Sequence, residues 1–178
     1  MPEPLDLQPL PEAEIVMLAH MIGDGSFVRR QPIRYASIDR ANLDAVTKAA
    51  QHFGITAIED DYPEARVTTL RLPAPFRLAR GRRNPIAAWL DDLRLFGLRS
   101  HEKFVPGRIF ALPREQIALF LRHLWATDGS VRWDDKTGQA RLYYATTSHR
   151  LAEDVSQLLL RVGVLARTKR VRKAGYRD

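Results

Sequence analysis

Two segments of the chain share an apolar, helix-like pattern with the same polar ending. Residues 15–27 read IVMLAHMIGDGSF and residues 119–131 read LFLRHLWATDGSV, so each mostly apolar segment ends in Asp-Gly-Ser, 104 positions apart (Asp24 to Asp128). A proline and acidic residues precede each segment, as is typical of helix starts. Gly25 and Gly129 are expected to end the helices in the left-handed conformation. The pattern predicts an internal duplication.

The pattern after each helix extends the duplication. Two short alternating segments follow, near residues 27–38 and 131–146, and then a capped helix that ends at Gly54 in the first copy and Gly163 in the second. In the first copy, strands near 56–60 and 66–72 and a helix near 86–96 complete the order αββαββα. This order predicts an α+β fold with antiparallel sheets covered on one face by helices. The 15 residues after Gly163 suffice for one strand and part of another, so we expect a truncated second copy.

Composition excludes several classes of protein. The chain has 178 residues, of which 45% are hydrophobic and 28% charged, which argues against disorder. Charges interrupt every apolar run before the roughly 18 residues of a membrane span. The absence of cysteine excludes disulfides and thiolate metal sites. The acidic, proline-rich start does not resemble a secretory signal, so we expect a cytoplasmic protein without membrane contact.

The charge balance points to a polyanionic partner. The formal net charge is +7 and the isoelectric point is about 10.1. Most of the 28 basic residues are arginines, whose planar guanidinium groups bind phosphate through two hydrogen bonds. A solvated basic surface is the simpler alternative. In a compact domain, however, this balance favours nucleic acid as the partner.

The repeated acidic residue suggests chemistry. If the two motif helices pack side by side, Asp24 and Asp128 meet at their C-terminal ends, and the small residues Ala19 and Gly23 allow close packing. Paired carboxylates can hold a divalent metal for phosphodiester hydrolysis. Each aspartate alone is better explained as a helix-ending turn. Because the whole apolar helix is repeated with its aspartate, we favour the functional interpretation.

These residues resemble the LAGLIDADG homing endonucleases, in particular the endonuclease domains of inteins. The two nine-residue motifs are residues 17–25 and 121–129. Residues 97–106, GLRSHEKFVP, and residues 144–152, YATTSHRLA, are similar to two further intein blocks. The resemblance covers about residues 12–170 and is strongest to inteins inserted in replicative DNA helicases. His123 and Thr127 stand where the family has Gly or Ala, so His123 either widens the helix crossing or points outward.

The resemblance implies a pseudo-twofold fold of two αββαββα halves whose sheets form a DNA-binding saddle. Residues 1–97 would be the first half, residues 98–113 a linker with the lysine-containing block, and residues 114–178 the incomplete second half. The implied function is that of a site-specific double-strand DNA endonuclease that uses Mg²⁺ or Mn²⁺ on a long target site. The protein would act as a monomer and be embedded in an intein within a host protein. The alternative is a catalytically inactive DNA-binding or splicing-supporting domain on the same scaffold.

The resemblance also assigns site residues. The expected catalytic residues are Asp24, Asp128 and Lys103, with Gly23 and Thr127 joining the aspartates at the metal. Lys169 and Lys173 are candidates for a second-half lysine. The three tryptophans are expected to lie in the core rather than stack on bases. The candidate DNA contacts are basic residues of the hairpins and the C-terminal segment: Arg29, Arg30, Arg34, Arg66, Arg71, Arg132, Arg141, Arg167, Lys169, Arg170 and Arg172.

Overall fold

The computed structural model describes residues 7–60 and 64–172. Within them, the helices and strands in chain order are α1 (Glu12–Gly23), β1 (Gly25–Ser26), β2 (Arg34–Ser37), α2 (Arg40–His52), β3 (Ile58–Asp60), β4 (Thr68–Arg71), α3 (Pro85–Asp92), α4 (Arg114–Asp128), β5 (Gly129–Asp134), β6 (Gln139–Tyr144) and α5 (His149–Arg161). Short 3₁₀ turns cover Ser100–Glu102 and Gly107–Ala111. None of the described helices has the length and hydropathy needed to span a membrane. The mixed, antiparallel architecture confirms the predicted α+β class.

Local sequence determines where several helices begin. The Asp39 side chain accepts a hydrogen bond from the N–H of Ala41 at the start of α2. Ser148 does the same for the N–H of Leu151 at the start of α5. Asn84 caps α3, where a proline occupies the first helical position. These caps satisfy backbone donors that would otherwise lack a partner.

The first half contains a four-stranded antiparallel sheet in the order β1-β2-β4-β3. Tyr35 of β2 lies opposite Gly25 on one side and Leu70 on the other. Tyr35 and Leu70 are fully buried on the helix-covered face. Arg34 and Arg71 are paired one position further along and therefore lie on the opposite face. The register thus gives the sheet an apolar inner face and an outer face that carries arginine.

The second half contains a two-stranded hairpin of β5 and β6, with Gly129 opposite Tyr144 and Asp134 opposite Gln139. Residues 164–172, after α5, have no regular secondary structure. The prediction of a strand there is therefore wrong for the described residues, and residues 173–178 lie outside them. A sheet comparable with that of the first half is not present in the described part of the second half.

A single apolar core joins the two halves. Helix α1 packs against both α2 and α4, and α4 packs against α5. Ile15 and Ile22 of α1 and Phe120 and Leu124 of α4 are buried in this core. Ala19 is also fully buried, as expected for a small residue at a close helix contact. The paired motif helices are therefore the centre of the molecule.

Equivalent hairpin positions differ in burial between the halves. Phe27 and Ile33 of the first half are buried, whereas their counterparts Val131 and Leu142 are 69% and 65% exposed. Trp133 is 60% exposed, so the prediction that it lies in the core is wrong. Within the described residues, no further strands and no helix like α3 cover this hairpin. The apolar inner face of β5 and β6 is therefore left in contact with solvent.

The glycines that end the motif helices act through close approach rather than through left-handed backbone. Neither Gly25 nor Gly129 has a positive φ, which corrects the sequence prediction. A Cβ on Gly25 would lie 2.5 Å from the Met21 backbone, and one on Gly129 would lie 2.1 Å from the Trp125 ring. The left-handed conformation occurs instead at residues 54 and 163, after α2 and α5.

The greater exposure of the β5–β6 hairpin, compared with the first sheet, predicts that the hairpin is locally less stable. We expect amides of the β5–β6 hairpin to exchange with solvent at least about tenfold faster than amides of β2 and β4, because fewer buried contacts oppose opening of the hairpin. Native-state hydrogen exchange followed by NMR measures both sets in one sample. Equal protection of the two sets would contradict this account of the second half.

Candidate active site

The ends of α1 and α4 touch just before the two acidic residues. A Cβ added to Gly23 would lie 2.0 Å from Thr127 Oγ1 and 2.5 Å from Thr127 Cβ. Thr127 fits although the resemblance expects Gly or Ala, because its hydroxyl turns back and donates to the Leu124 carbonyl at 2.6 Å. Asp24 directly follows Gly23, and Asp128 directly follows Thr127. The structure therefore brings the two predicted carboxylates together.

The two carboxylates form an incompletely neutralised acidic pair. Partial burial raises the pKa of Asp24 and of Asp128, and the charge of Asp128 raises the pKa of Asp24 further. The nearby Lys103 ammonium lowers both pKa values. Both side chains remain accessible to solvent, and neither accepts a hydrogen bond within residues 7–60 and 64–172. Such a pair is suited to binding a cation.

Lys103 is held at the C-terminal end of α1. Its Nζ donates to the carbonyl oxygens of Met21 at 3.0 Å, Gly23 at 3.2 Å and Gly25 at 2.8 Å. The residue is only 4% exposed. Burial lowers the pKa of Lys103 to about 8, against the opposing charges of the two aspartates. Because all three ammonium hydrogens have acceptors, Lys103 caps the last turn of the motif helix, where the helix dipole favours a cation.

The backbone around Lys103 connects this helix end to the second half. The Ser148 hydroxyl donates to the Lys103 carbonyl at 2.6 Å. The N–H of Val105 donates to Asp154 Oδ2 at 2.8 Å. Ser148 also caps α5, so the two sequence blocks outside the motifs meet here. The roles of Ser148 and Asp154 were not evident from sequence, since their partners lie more than 40 positions away.

A chain of hydrogen bonds joins the motif helices one turn below the carboxylates. His20 Nε2 and His123 Nδ1 are 3.0 Å apart, and His20 Nδ1 is 2.9 Å from the Tyr35 hydroxyl. Burial, followed by the charge of His123, lowers the pKa of His20 to about 4. Burial also lowers the pKa of His123. His123 therefore points into the interface as a neutral partner of His20, which decides between the two orientations that the sequence left open.

The two tyrosines opposite the motif glycines were missed by the sequence analysis. Tyr35 lies opposite Gly25 and Tyr144 opposite Gly129. Burial and both carboxylates raise the pKa of each phenol. Tyr35 and Tyr144 are separated by the same number of residues as Gly54 and Gly163, the glycines after α2 and α5. The internal repeat could therefore have identified the two tyrosines as equivalent.

The strand registers sort the predicted DNA contacts. Arg34 and Arg71 lie side by side on the outer face of the first sheet, and Arg132 and Arg141 do so on the second hairpin. Two of these arginines form ion pairs on their own sheets, Arg71 with Asp60 and Arg141 with Asp134. The remaining predicted residues lie outside strands: Arg29 and Arg30 in the first hairpin turn, Arg66 in the bend before β4, and Arg167, Lys169, Arg170 and Arg172 in the segment after α5. Lys173 lies outside the described residues.

The donor set limits how a metal could be held. No group of three or more His, Cys, Asp or Glu side chains suited to a metal occurs in the described part of the chain. Asp24 and Asp128 offer carboxylate oxygens, which Mg²⁺ and Mn²⁺ prefer. The remaining ligands would be backbone oxygens, water or a bound phosphate. The residues present thus fit a metal that is shared with a substrate.

Comparison with known protein families finds a match in the second part of the chain. Residues 115–178, which contain α4 and the Asp128 motif, match the LAGLIDADG-like domain. This second-motif part of the chain is therefore similar to that family domain.

The chain is also similar to segments of much longer proteins. The replicative DNA helicase DnaB of Synechocystis sp. is 39% identical over 180 residues, which cover 97% of this chain and 20% of the helicase. RecA of Mycobacterium tuberculosis is 30% identical over 164 residues, covering 89% of this chain and 20% of RecA. The chain thus spans about a fifth of the length of these relatives. The structure of I-DmoI in complex with DNA and Mn aligns with a TM-score of 0.49 and 17% identity over 86% of this chain and 79% of that chain.

The contact of Gly23 with Thr127 predicts an unfavourable Gly23→Ala substitution. The added Cβ must displace Thr127 or separate the helices, so we expect a loss of about 1–3 kcal/mol in the free energy of unfolding. Thr127→Gly in the same chain should recover part of that loss beyond additivity. Gly107→Ala is the matched control, because no atom lies within 4 Å of its added Cβ. Chemical denaturation measures Gly23→Ala, Thr127→Gly, the double variant and Gly107→Ala, and additive losses in the first three would contradict the contact.

The raised carboxyl pKa values predict a stabilising Asp24→Asn substitution. A pKa that is higher in the folded state means that ionisation of Asp24 destabilises the fold. At pH 7 the amide removes this cost, so the variant should unfold at a higher temperature than the wild type. The difference should shrink as pH falls through the folded-state pKa towards the unfolded-state value. Thermal melts from pH 7 to pH 3.5 test this, and a gain that is independent of pH would refute it.

Proposed function

We propose that this protein is a site-specific endonuclease that hydrolyses both strands of double-stranded DNA. The observation that supports this proposal is the contact between α1 and α4, which sets Asp24 and Asp128 side by side without protein partners for their carboxylates in the described residues. Each carboxylate comes from one copy of the internal repeat. One acidic residue per repeat is the minimum for a chain that cuts two strands. Both carboxylates belong to one chain, so a monomer suffices.

The carboxylates act together with Mg²⁺ or Mn²⁺. When bound there, a divalent ion would supply Lewis-acid chemistry, lowering the pKa of water and polarising the scissile phosphate. Asp24 and Asp128 would hold it, and the backbone oxygens of Gly23 and Thr127 would be further ligands. Binding of the ion would also relieve the electrostatic repulsion between the two carboxylates, which destabilises the metal-free protein.

Lys103 is a positioning residue in this proposal. Its three hydrogen bonds fix the last turn of α1 and so the direction from which Asp24 leaves the helix. Its charge lowers the pKa of both carboxyl groups and so opposes the upward shift that burial causes. The direct role in activating water, expected from the resemblance, would require Nζ to release one of its carbonyl acceptors.

The outer faces of the first sheet and of the second hairpin form the DNA-binding surface. Arg34, Arg71, Arg132 and Arg141 project from these faces, and the net charge of +7 attracts the phosphate backbone. The exposed basic segment after α5 extends this surface. Together, two sheets with arginine on their outer faces would form the saddle-shaped surface that a long DNA duplex requires.

The relatives support a host-embedded setting. Segments similar to this chain make up about a fifth of a DnaB helicase and about a fifth of RecA, which are differently named proteins. A segment shared in this way is typical of an inserted element. This supports our proposal of an endonuclease domain of an intein in a replicative helicase. We further propose that it acts in the cytoplasm, with residues 1–97 and 114–178 as halves and 98–113 as the linker.

The alternative is an inactive DNA-binding or splicing-supporting domain. It is favoured by the use of all three Lys103 donors within the fold. Among the described residues, Lys103 is also the lysine whose charge lowers the pKa of both Asp24 and Asp128, so the same side chain serves both carboxylates. An inactive domain would keep the basic surface and lose the chemistry.

Cleavage of a plasmid by Asp24→Asn and Asp128→Asn variants tests the proposal. The substrate carries the helicase sequences that flank the matching segment in the relatives, joined without that segment. We expect each variant to lose double-strand cleavage by at least about a hundredfold, because each removes one metal-binding carboxylate. DNA affinity should stay within about threefold, with a salt slope of about −0.9 for each phosphate contact.

Asp135→Asn is the matched control, since Asp135 lies in the exposed turn of the second hairpin. This control should cut at the wild-type rate. Wild-type cleavage by either motif variant would contradict the two-carboxylate mechanism. Salt-dependent binding without any cleavage by the wild type would favour the inactive alternative.

A further inference from the structure

A cavity of about 770 Å³ lies at the end of the first sheet, where β2 begins and β4 ends. Its volume is typical of small-molecule binding sites. The lining comes from the turn before β2, the loop between β4 and α3, α3 itself and Phe96. Most of the lining is apolar, and it includes the Phe76 ring and Leu78, which is 61% exposed. Within the described chain neither motif lines this cavity, so it is separate from Asp24 and Asp128.

The charged residues around this cavity are all basic. Arg30, Arg71, Arg82 and Arg83 line it, and none of the described lining residues is acidic. Two of them, Arg71 and Arg83, form ion pairs with carboxylates of β3 and α3. Arg30 and Arg82 form no ion pair with another described residue. Their charge is therefore available to an anionic ligand.

The loop that carries Arg82 has a defined shape. The N–H of Arg82 donates to the Ala79 carbonyl at 2.9 Å, and Gly81 has a left-handed backbone with a φ of 80°. The Asn84 side chain donates to the Leu72 carbonyl at 2.8 Å, which ties the loop to the end of β4. Residues 79–82, the arginine turn, therefore form an ordered wall of the cavity.

Arg82 and Arg30 are both arranged in a way that suits ligand binding. The guanidinium carbon of Arg82 lies 3.9 Å from the centroid of the Phe76 ring. This contact orders the guanidinium and leaves N–H groups available to phosphate oxygens. Arg30 has a φ of 65°, a conformation that is rare for a residue with a side chain and concentrates at functional sites. Gln31 also lines the cavity and offers an amide donor and acceptor.

We propose that this cavity is a nucleotide-binding site, with the base on the apolar lining and the phosphate at Arg30 and Arg82. A nucleotide matches both properties of the cavity, because its planar base stacks on aromatic and guanidinium groups and its phosphate accepts paired hydrogen bonds from arginine. The Gln31 amide supplies hydrogen bonds for the edge of the base. A carboxylate of an acidic peptide would satisfy the arginines and leave the apolar lining empty.

The nucleotide has two possible sources. Arg71 lines the cavity and also lies beside Arg34 on the outer face of the first sheet. The cavity thus adjoins the proposed DNA-binding surface, so an unpaired nucleotide of a bound strand is one source and a free nucleotide is the other. Only the DNA source rests on the proposed function, since the cavity itself does not involve the two aspartates.

Isothermal titration calorimetry of the full chain in EDTA tests the site without metal at the aspartates. We expect dAMP to bind at least about tenfold more tightly than deoxyadenosine or inorganic phosphate, because only the nucleotide uses both parts of the cavity. Arg30→Gln and Arg82→Gln should each weaken dAMP binding at least about fivefold. Arg80→Gln is the matched control, because Arg80 is exposed in the same turn and does not line the cavity. All three arginines are exposed, so each variant should unfold at the wild-type temperature.

Competition with DNA distinguishes the two sources. Stronger displacement of dAMP by a duplex with one unpaired terminal nucleotide than by the blunt duplex would support the site and identify DNA as the source. Equal displacement, with dAMP still bound as expected, would support the site and identify the free nucleotide.

Two results would overturn the nucleotide site. Equal affinity for dAMP and inorganic phosphate would reduce the cavity to an anion contact. Unchanged dAMP binding in Arg82→Gln, or an equal loss in Arg80→Gln, would place the nucleotide elsewhere. None of these measurements depends on cleavage, so failure of this site and failure of the proposed function are distinguished.

Discussion

The contact between Gly23 and Thr127 is the constraint on which the rest of the structure depends. Because Gly23 has no side chain, the C-terminal turns of α1 and α4 approach closely enough for the Thr127 side chain to occupy the space of a Cβ. The same contact buries the apolar faces of both helices in one core and sets the separation of Asp24 and Asp128. Stability and the candidate chemistry therefore come from one helix pair. Ionisation of the two carboxylates destabilises the fold, whereas the packing of the same helices stabilises it.

Polar groups at this helix pair are arranged so that few remain unpaired. His123 stands where the resemblance expects a small residue, and it binds His20 as a neutral ring, which lets the helices stay close despite its size. Lys103 supplies a cation to the carbonyls that end α1, and its own backbone reaches α5 through Ser148. The second half has the phenol of Tyr144 but no internal partner for it in the described residues. The two halves are thus alike in fold and different in how their carboxylates are supported.

The sequence was sufficient to predict the features that repeat and insufficient for those that depend on distant partners. The duplicated helices, their order and the meeting of Asp24 with Asp128 follow from pattern and spacing. The three carbonyls around Lys103 could not be predicted, since they belong to residues about 80 positions away. Trp133 is apolar and periodic in sequence, but its burial depends on a covering layer that the described residues do not provide. Gly25 and Gly129 were recognised as helix ends, although steric crowding rather than left-handed backbone requires them.

The central claim is that Asp24 and Asp128 form one metal-binding pair at the ends of the motif helices. Anomalous diffraction from crystals grown with MnCl₂ tests this most directly, because it locates manganese independently of activity. The account predicts an anomalous peak within coordination distance, about 2.0–2.6 Å, of carboxylate oxygens from both aspartates. Manganese bound only elsewhere, or carboxylates too far apart to share an ion, would contradict it.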